Sequence, residues 1–151
     1  VLFFALQINA QIGAPGEKRS KGVVAIKAAQ IIDGTGTEPI KNGVIIITDD
    51  KITAIGANIQ IPAGVKVIDL GNTTLLPGFI DAHTHLIMRV VGDPEGQNAR
   101  FRDYDSLGAI LGVTHAQKTL MAGFTTVRNV GAGNFDDLAL RKAINDGWIP
   151  G

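Results

Sequence analysis

The chain has 151 residues, and its 14 Lys+Arg balance its 14 Asp+Glu. That zero net charge excludes a nucleic-acid binder driven by bulk charge. Apolar residues at 45% against 19% charged exclude a disordered chain, and the absence of cysteine excludes disulfides, Cys-ligated zinc and Cys nucleophiles.

Residues 1–8 (VLFFALQI) form an apolar run of signal-peptide core length, followed by a small residue, Ala10. Residues 13–22 (GAPGEKRSKG) read as a polar linker. Residues 1–22 are therefore expected to be the remnant of a signal peptide and its linker, lacking the basic start, in a secreted or periplasmic protein. The other reading of 1–8 is a short buried strand. No run reaches the roughly 18 apolar residues that span a bilayer, so no membrane role is expected after signal cleavage.

Residues 23–32 (VVAIKAAQII) are rich in β-branched types and predict a strand. A turn-rich connection follows at 33–42. The strong strand at 43–48 (GVIIIT), a three-residue turn at 49–51 and a return strand at 52–55 predict a hairpin. Short strands are expected at 59–61, 65–70 and 73–76, punctuated by Pro62, Gly64 and Gly71. Residues 23–76 thus read as a small all-β unit. Gly34 and Gly36 fit a β-turn, because no strand–Gly-loop–helix follows to cradle a phosphate.

The pattern changes at Pro77-Gly78. Residues 79–85 (FIDAHTH) predict a strand, and 92–105 (GDPEGQNARFRDYD) a long polar loop. A helix is expected over 106–121, capped by Asp105 or Ser106 and stopped by Gly123. A strand at 124–130 (FTTVRNV) and a final helix after Asp136/Asp137, stopped by Gly147, complete a β-α-β-α order. Strands joined by helices lie parallel, so the fold class is α/β.

His83-Thr84-His85 carries the chemistry. Side chains alternate along a strand, so His83, His85 and Asp81 point one way. Two neutral imidazoles on one face at a strand end can share a Zn²⁺ at about 2.0–2.1 Å per ring nitrogen. Asp81 could orient an imidazole or lie near the metal. His115, the third histidine, sits in the predicted helix in line with Leu107 and Leu111 and reads as a packed structural residue. Arg128 and Asn129 end the second strand of this half, as substrate contacts or structural hydrogen-bond formers. Arg89, Arg100, Arg102 and Tyr104 either shape a pocket or lid, or belong to a solvated loop. No motif supports Ser/His/Asp catalysis.

The run Leu76-Pro77-Gly78-Phe79-Ile80-Asp81-Ala82-His83-Thr84-His85-Leu86 closely resembles the first metal-binding motif of the amidohydrolase superfamily. Ile32-Asp33-Gly34-Thr35-Gly36, Asn42-Gly43-Val44 and Lys51-Ile52-Thr53-Ala54-Ile55-Gly56 resemble its small β-domain. Ala122-Gly123-Phe124-Thr125-Thr126-Val127-Arg128-Asn129 is similar to the second barrel strand of the imidazolonepropionase-like branch, which includes Xaa-Pro dipeptidase (prolidase)-like members. Asn129 stands where that branch usually has an acidic residue.

The resemblance implies an N-terminal fragment: part of a small β-sandwich domain at 23–76, then the first two βα units of a metal-dependent (β/α)8 TIM barrel at 77–151. It implies one or two divalent ions, usually zinc, held partly by His83 and His85. A bridging Lys or Glu, two further histidines and the catalytic Asp would come from later strands, so no catalytic residue is expected within this chain. The implied reaction is hydrolysis of a C–N bond in a small cyclic amide or dipeptide-like substrate by metal-activated hydroxide. A homo-oligomer is compatible with this reading. The chain by itself is expected to be inactive and either poorly stable or self-associating. Two alternatives stand beside it: a secreted, non-enzymatic β-rich binding protein with an incidental His-x-His, and a family member without catalysis.

Overall fold

The computed structural model describes residues 22–89 and 92–151, with the side chains of Gln97, Ala99 and Arg100 outside that description. The expected export segment at 1–8, and the linker up to residue 21, lie outside the described residues. The described chain divides into two compact units, one running to Pro77 and the other starting at Gly78.

The first unit is a five-stranded sheet built from β1 (Val23–Ile31), β2 (Ile40–Thr48), β3 (Lys51–Gly56), β4 (Lys66–Asp69) and β5 (Thr74–Leu75). The strand order is β3-β2-β1-β4, and β5 also pairs with β1. β1 and β2 are antiparallel with Ile26 opposite Ile45, whereas β4 and β5 run parallel to β1. The uninterrupted apolar run Val44-Ile45-Ile46 is buried throughout because both faces of β2 are covered. Val44 and Ile46 join Ala25 in one cluster, and Ile45 joins Ala28 and Ile31 in another. A strand covered on both faces shows such a run in place of alternation. Ile31, only 1% exposed, lies across Gly43, where any Cβ would collide with it.

Two expectations need correction in this unit. Thr48 already pairs with Lys51, so the hairpin turn has two residues, Asp49-Asp50, not three. Asp49 supplies the left-handed backbone (φ 56°) that a short hairpin turn requires, and Asp tolerates it. Residues 59–61 form no strand. Ile59 and Ile61 still pack against the Ala25 cluster, while Pro62 has no N–H for a ladder and Gly64 turns the chain at φ 78°.

The second unit contains β6 (Phe79–Thr84), α1 (Gly96–Arg102), α2 (Leu107–Met121), β7 (Phe124–Asn129) and α3 (Asp136–Asn145). β6 and β7 pair in parallel, with Phe79 opposite Phe124 and Thr84 opposite Asn129. The α/β character expected of this half is therefore present. The polar stretch at 92–105 is not a plain loop, since it contains α1.

Ser106 precedes α2 but makes no side-chain cap; its own backbone is helical (φ −72°, ψ −10°). The N–H of Leu107 is instead accepted by Tyr104 O at 2.9 Å. Both glycine stops operate as glycines at C′ should. Gly123 has φ 96° and donates to Leu120 O at 2.9 Å. Gly147 has φ 75° and donates to Ile144 O at 3.0 Å, while Trp148 N–H reaches back to Ala143 O at 2.9 Å. These two bonds make a Schellman motif that satisfies the last carbonyls of α3.

Candidate metal centre

β6 delivers His83 and His85 to its C-terminal end. The two rings lie 5.4 Å apart, centroid to centroid, at an interplanar angle of 68°, and both residues are exposed. For two imidazoles on one tetrahedral cation, nitrogen bonds of about 2.0–2.1 Å put the centroids roughly 5 Å apart. The observed spacing is compatible with two ligands of one ion. Among the described residues, no group of three His, Asp or Glu side chains could hold a metal. The pair by itself is two potential donors, fewer than a metal site needs.

Asp81 does not reach an imidazole through a hydrogen bond. Its Oδ1 accepts the backbone N–H of His83 at 3.0 Å, which fixes the peptide that carries this imidazole. The carboxylate thus acts on the main chain two residues ahead, a local pattern open to Asp.

The chain leaves β6 under several restraints. Val130 N–H donates to Thr84 O at 2.9 Å, and Thr84 Oγ1 donates to Arg128 O at 3.2 Å. Leu86 N–H donates to Asn129 Oδ1 at 2.9 Å, and Asn129 Nδ2 donates to Gly131 O at 3.0 Å. Those partners fix which end of the amide is oxygen, because an N–H needs an acceptor and a carbonyl a donor. Asn129 therefore has a structural hydrogen-bonding role at the end of β7. Arg128 is exposed, and its backbone carbonyl, not its guanidinium, makes the bond to Thr84.

His115 sits in α2 with Nδ1 2.7 Å from Leu86 O. A carbonyl has no hydrogen to give, so Nδ1 carries the proton and donates. That is the structural role expected for this histidine. Leu86 and Gly131 are the contributors without a signal in the sequence: one acts through its backbone, and the other through the side chain it lacks. A Cβ on Gly131 would stand 3.1 Å from both Cε1 and Nδ1 of His85.

Beyond the pair, Arg89 organises the polar excursion. Its Nε lies 2.8 Å from Asp103 and one terminal nitrogen 3.1 Å from Asp93, with all three side chains partly buried. Asp93 also accepts the N–H of Glu95 at 3.0 Å. That N–H first, and Arg89 second, hold the Asp93 carboxyl below its ordinary range. Asp103 and then Asp93 push the Arg89 guanidinium up. Arg102 pairs with Glu95 at 3.1 Å in solvent, and Tyr104 is exposed. The side chain of Arg100 lies outside the described residues.

A parallel βα arrangement with a His-x-His at a strand end defines a class, and comparison with known proteins agrees. The Amidohydrolase family profile matches residues 74–151, more than half of the chain. The chain belongs to the amidohydrolase family. It is 43% identical over 65 residues to the 5'-deoxyadenosine deaminase of Methanobrevibacter smithii, covering 43% of this chain and 15% of that protein. It is 40% identical over 48 residues to the imidazolonepropionase of an Arthrobacter species, covering 32% of this chain and 12% of the relative. A crystal structure of a Xaa-Pro dipeptidase with bound methionine in the active site superposes on 86% of this chain at TM-score 0.75 and 32% identity. The chain spans 32% of that dipeptidase.

Proposed function

We propose that this chain is the leading part of a metal-dependent hydrolase of C–N bonds, with His83 and His85 as its first two metal ligands. The observation that carries this reading is the ring pair itself: two imidazoles 5.4 Å apart at the end of β6. Membership of the amidohydrolase family supports it.

In this reading residues 77–151 supply the first two βα units of a (β/α)8 barrel, and residues 23–76 supply part of a small β-sandwich domain. Residues 1–22 are the remnant of an export signal and linker. The remaining ligands, a bridging Lys or Glu and two histidines, and the catalytic Asp come from later strands of the full-length protein. The ion, or pair of ions, is zinc. Bound there, it would lower the pKa of a water to roughly 7 and polarise a carbonyl oxygen. The chain's own residues hold and orient: Asp81 fixes the His83 peptide, and Asn129 and His115 fix the peptide after His85. Arg128, exposed at the end of β7, contacts substrate.

The substrate is a small cyclic amide or a dipeptide-like molecule. The test is turnover by the metal-loaded full-length protein against a panel of cyclic amides and Xaa-Pro dipeptides. Hydrolysis of one class, lost in His83→Ala, is the expected result. Failure to hydrolyse either class, or hydrolysis unaffected by His83→Ala, would contradict it.

A further inference from the structure

The strand ladder ends before His85, since β6 stops at Thr84. The last β6 carbonyl on the ladder is Thr84 O, bonded to Val130 N–H. Beyond it, His85 O accepts the Met88 N–H at 3.1 Å, and the two polar groups of Leu86 find side chains from different elements. Asn129 of β7 accepts the Leu86 N–H at 2.9 Å, and His115 of α2 donates to the Leu86 carbonyl at 2.7 Å. The second hand of the Asn129 amide holds Gly131 O at 3.0 Å, and Gly131 borders the His85 imidazole. One amide therefore ties together the two segments that flank this ring.

We propose that Asn129 and His115 are positioning residues that clamp the Leu86 peptide and so fix the His85 imidazole for metal binding; this rests on the reading of His85 as a ligand. A ligand past the end of a ladder swings with its backbone unless that backbone is held. Holding both polar groups of the next residue removes that freedom before the metal arrives. Partners bonded to a ligand itself change metal affinity by about 10–100-fold, and a hold on the adjoining backbone is expected at the lower end of that range. The two hands of Asn129 are separable. Asn129→Asp keeps an oxygen for the Leu86 N–H and loses the donor to Gly131 O. Asn129→Leu loses both bonds at similar size.

The experiment uses the full-length protein and two readouts. Zinc affinity is measured by competition with a chelator. In the metal-free protein, the Cε1–H signal of His85 is followed under histidine-selective ¹³C labelling and identified by its loss in His85→Gln. Asn129→Leu and His115→Leu are expected to weaken zinc binding about 10-fold or more and to shift the His85 signal, with Asn129→Asp recovering most of the affinity. Leu140→Ala serves as the comparison: it empties a buried site between α2 and α3, lowers Tm, and leaves zinc affinity and the His85 signal unchanged. The proposal is overturned if Asn129→Leu leaves both readouts unmoved, or if Leu140→Ala moves them as far. Should the unsubstituted protein take up no zinc, the metal reading fails on its own, and the His85 signal still decides whether Asn129 and His115 position the ring.

Discussion

Gly112 of α2 seats Leu140 of α3. A methyl group on Gly112 would stand 3.0 Å from Leu140 Cδ2 and 3.2 Å from Ile87 Cγ2, and all three residues are buried. Replacing Gly112 by Ala sets a helix-propensity gain of about 1 kcal/mol against this crowding, and the Leu140 terminus can swing aside. Gly112→Val adds two further carbons and β-branching, so crowding wins. It is expected to destabilise the protein by about 1–3 kcal/mol, read as a shift in the denaturant midpoint. An unchanged midpoint would mean that α2 and α3 do not pack this closely.

Gly131 is required by the ring of His85, not by its own backbone. Gly131→Ala would push the imidazole by a few tenths of an ångström, since the Cβ would lie 3.1 Å from two ring atoms. Zinc affinity of the full-length protein is expected to fall about 10-fold, as for other changes behind a ligand. Global stability should move by less than about 0.5 kcal/mol. Chelator competition and a thermal melt, run side by side, distinguish this from general destabilisation.

The excursion between β6 and α2 should open in acid. The Asp93 carboxyl is held below its ordinary range by the Glu95 N–H and by Arg89. A depressed folded-state value means that its contribution is fully present above the unfolded value of about 4 and is lost as pH falls through the folded value. Residues 92–105 should therefore stay closed at neutral pH and loosen below about pH 4. Pepsin cleavage near the exposed Phe101 and Tyr104, normalised to an unstructured peptide, should rise over that range. Asp93→Asn should be cut rapidly already at the upper end. Opening that begins near pH 6 would implicate a histidine instead.

The 151-residue chain by itself should self-associate. Ile80 is 72% exposed on β6, and β6 and β7 make a two-stranded parallel sheet among the described residues. Parallel sheets are normally covered on both faces, and open edges recruit other strands. Size-exclusion chromatography with circular dichroism is expected to show oligomers or a poorly cooperative melt. A monodisperse monomer with a sharp transition would contradict this.

What the sequence revealed divides along the range of the interaction. The spacing of His83 and His85, the apolar run at Val44–Ile46 and the stops at Gly123 and Gly147 are local patterns, and each appears in the structure as its spacing predicts. α1 escaped notice because GQNARFR has too few apolar positions to show a helical period. The strand expected at 59–61 had the right apolar residues but no ladder partner, and apolar content alone does not separate a packed loop from a strand. The Ser106 cap failed because its backbone is already helical, not in the extended geometry from which a side chain caps. The clamp on Leu86 spans 43 residues to Asn129 and 29 to His115, and the seat of His85 depends on a side chain that Gly131 lacks. No spacing rule reaches such contacts, which exist only once β6, α2 and β7 have packed.

The most direct test of the central claim is the metal content of the full-length protein, purified without added chelator and measured by atomic emission. The account predicts one or two zinc ions per chain, with at least one ion lost in both His83→Ala and His85→Ala while the circular dichroism spectrum is retained. Full metal occupancy in either variant, or no metal in the unsubstituted protein, would contradict it.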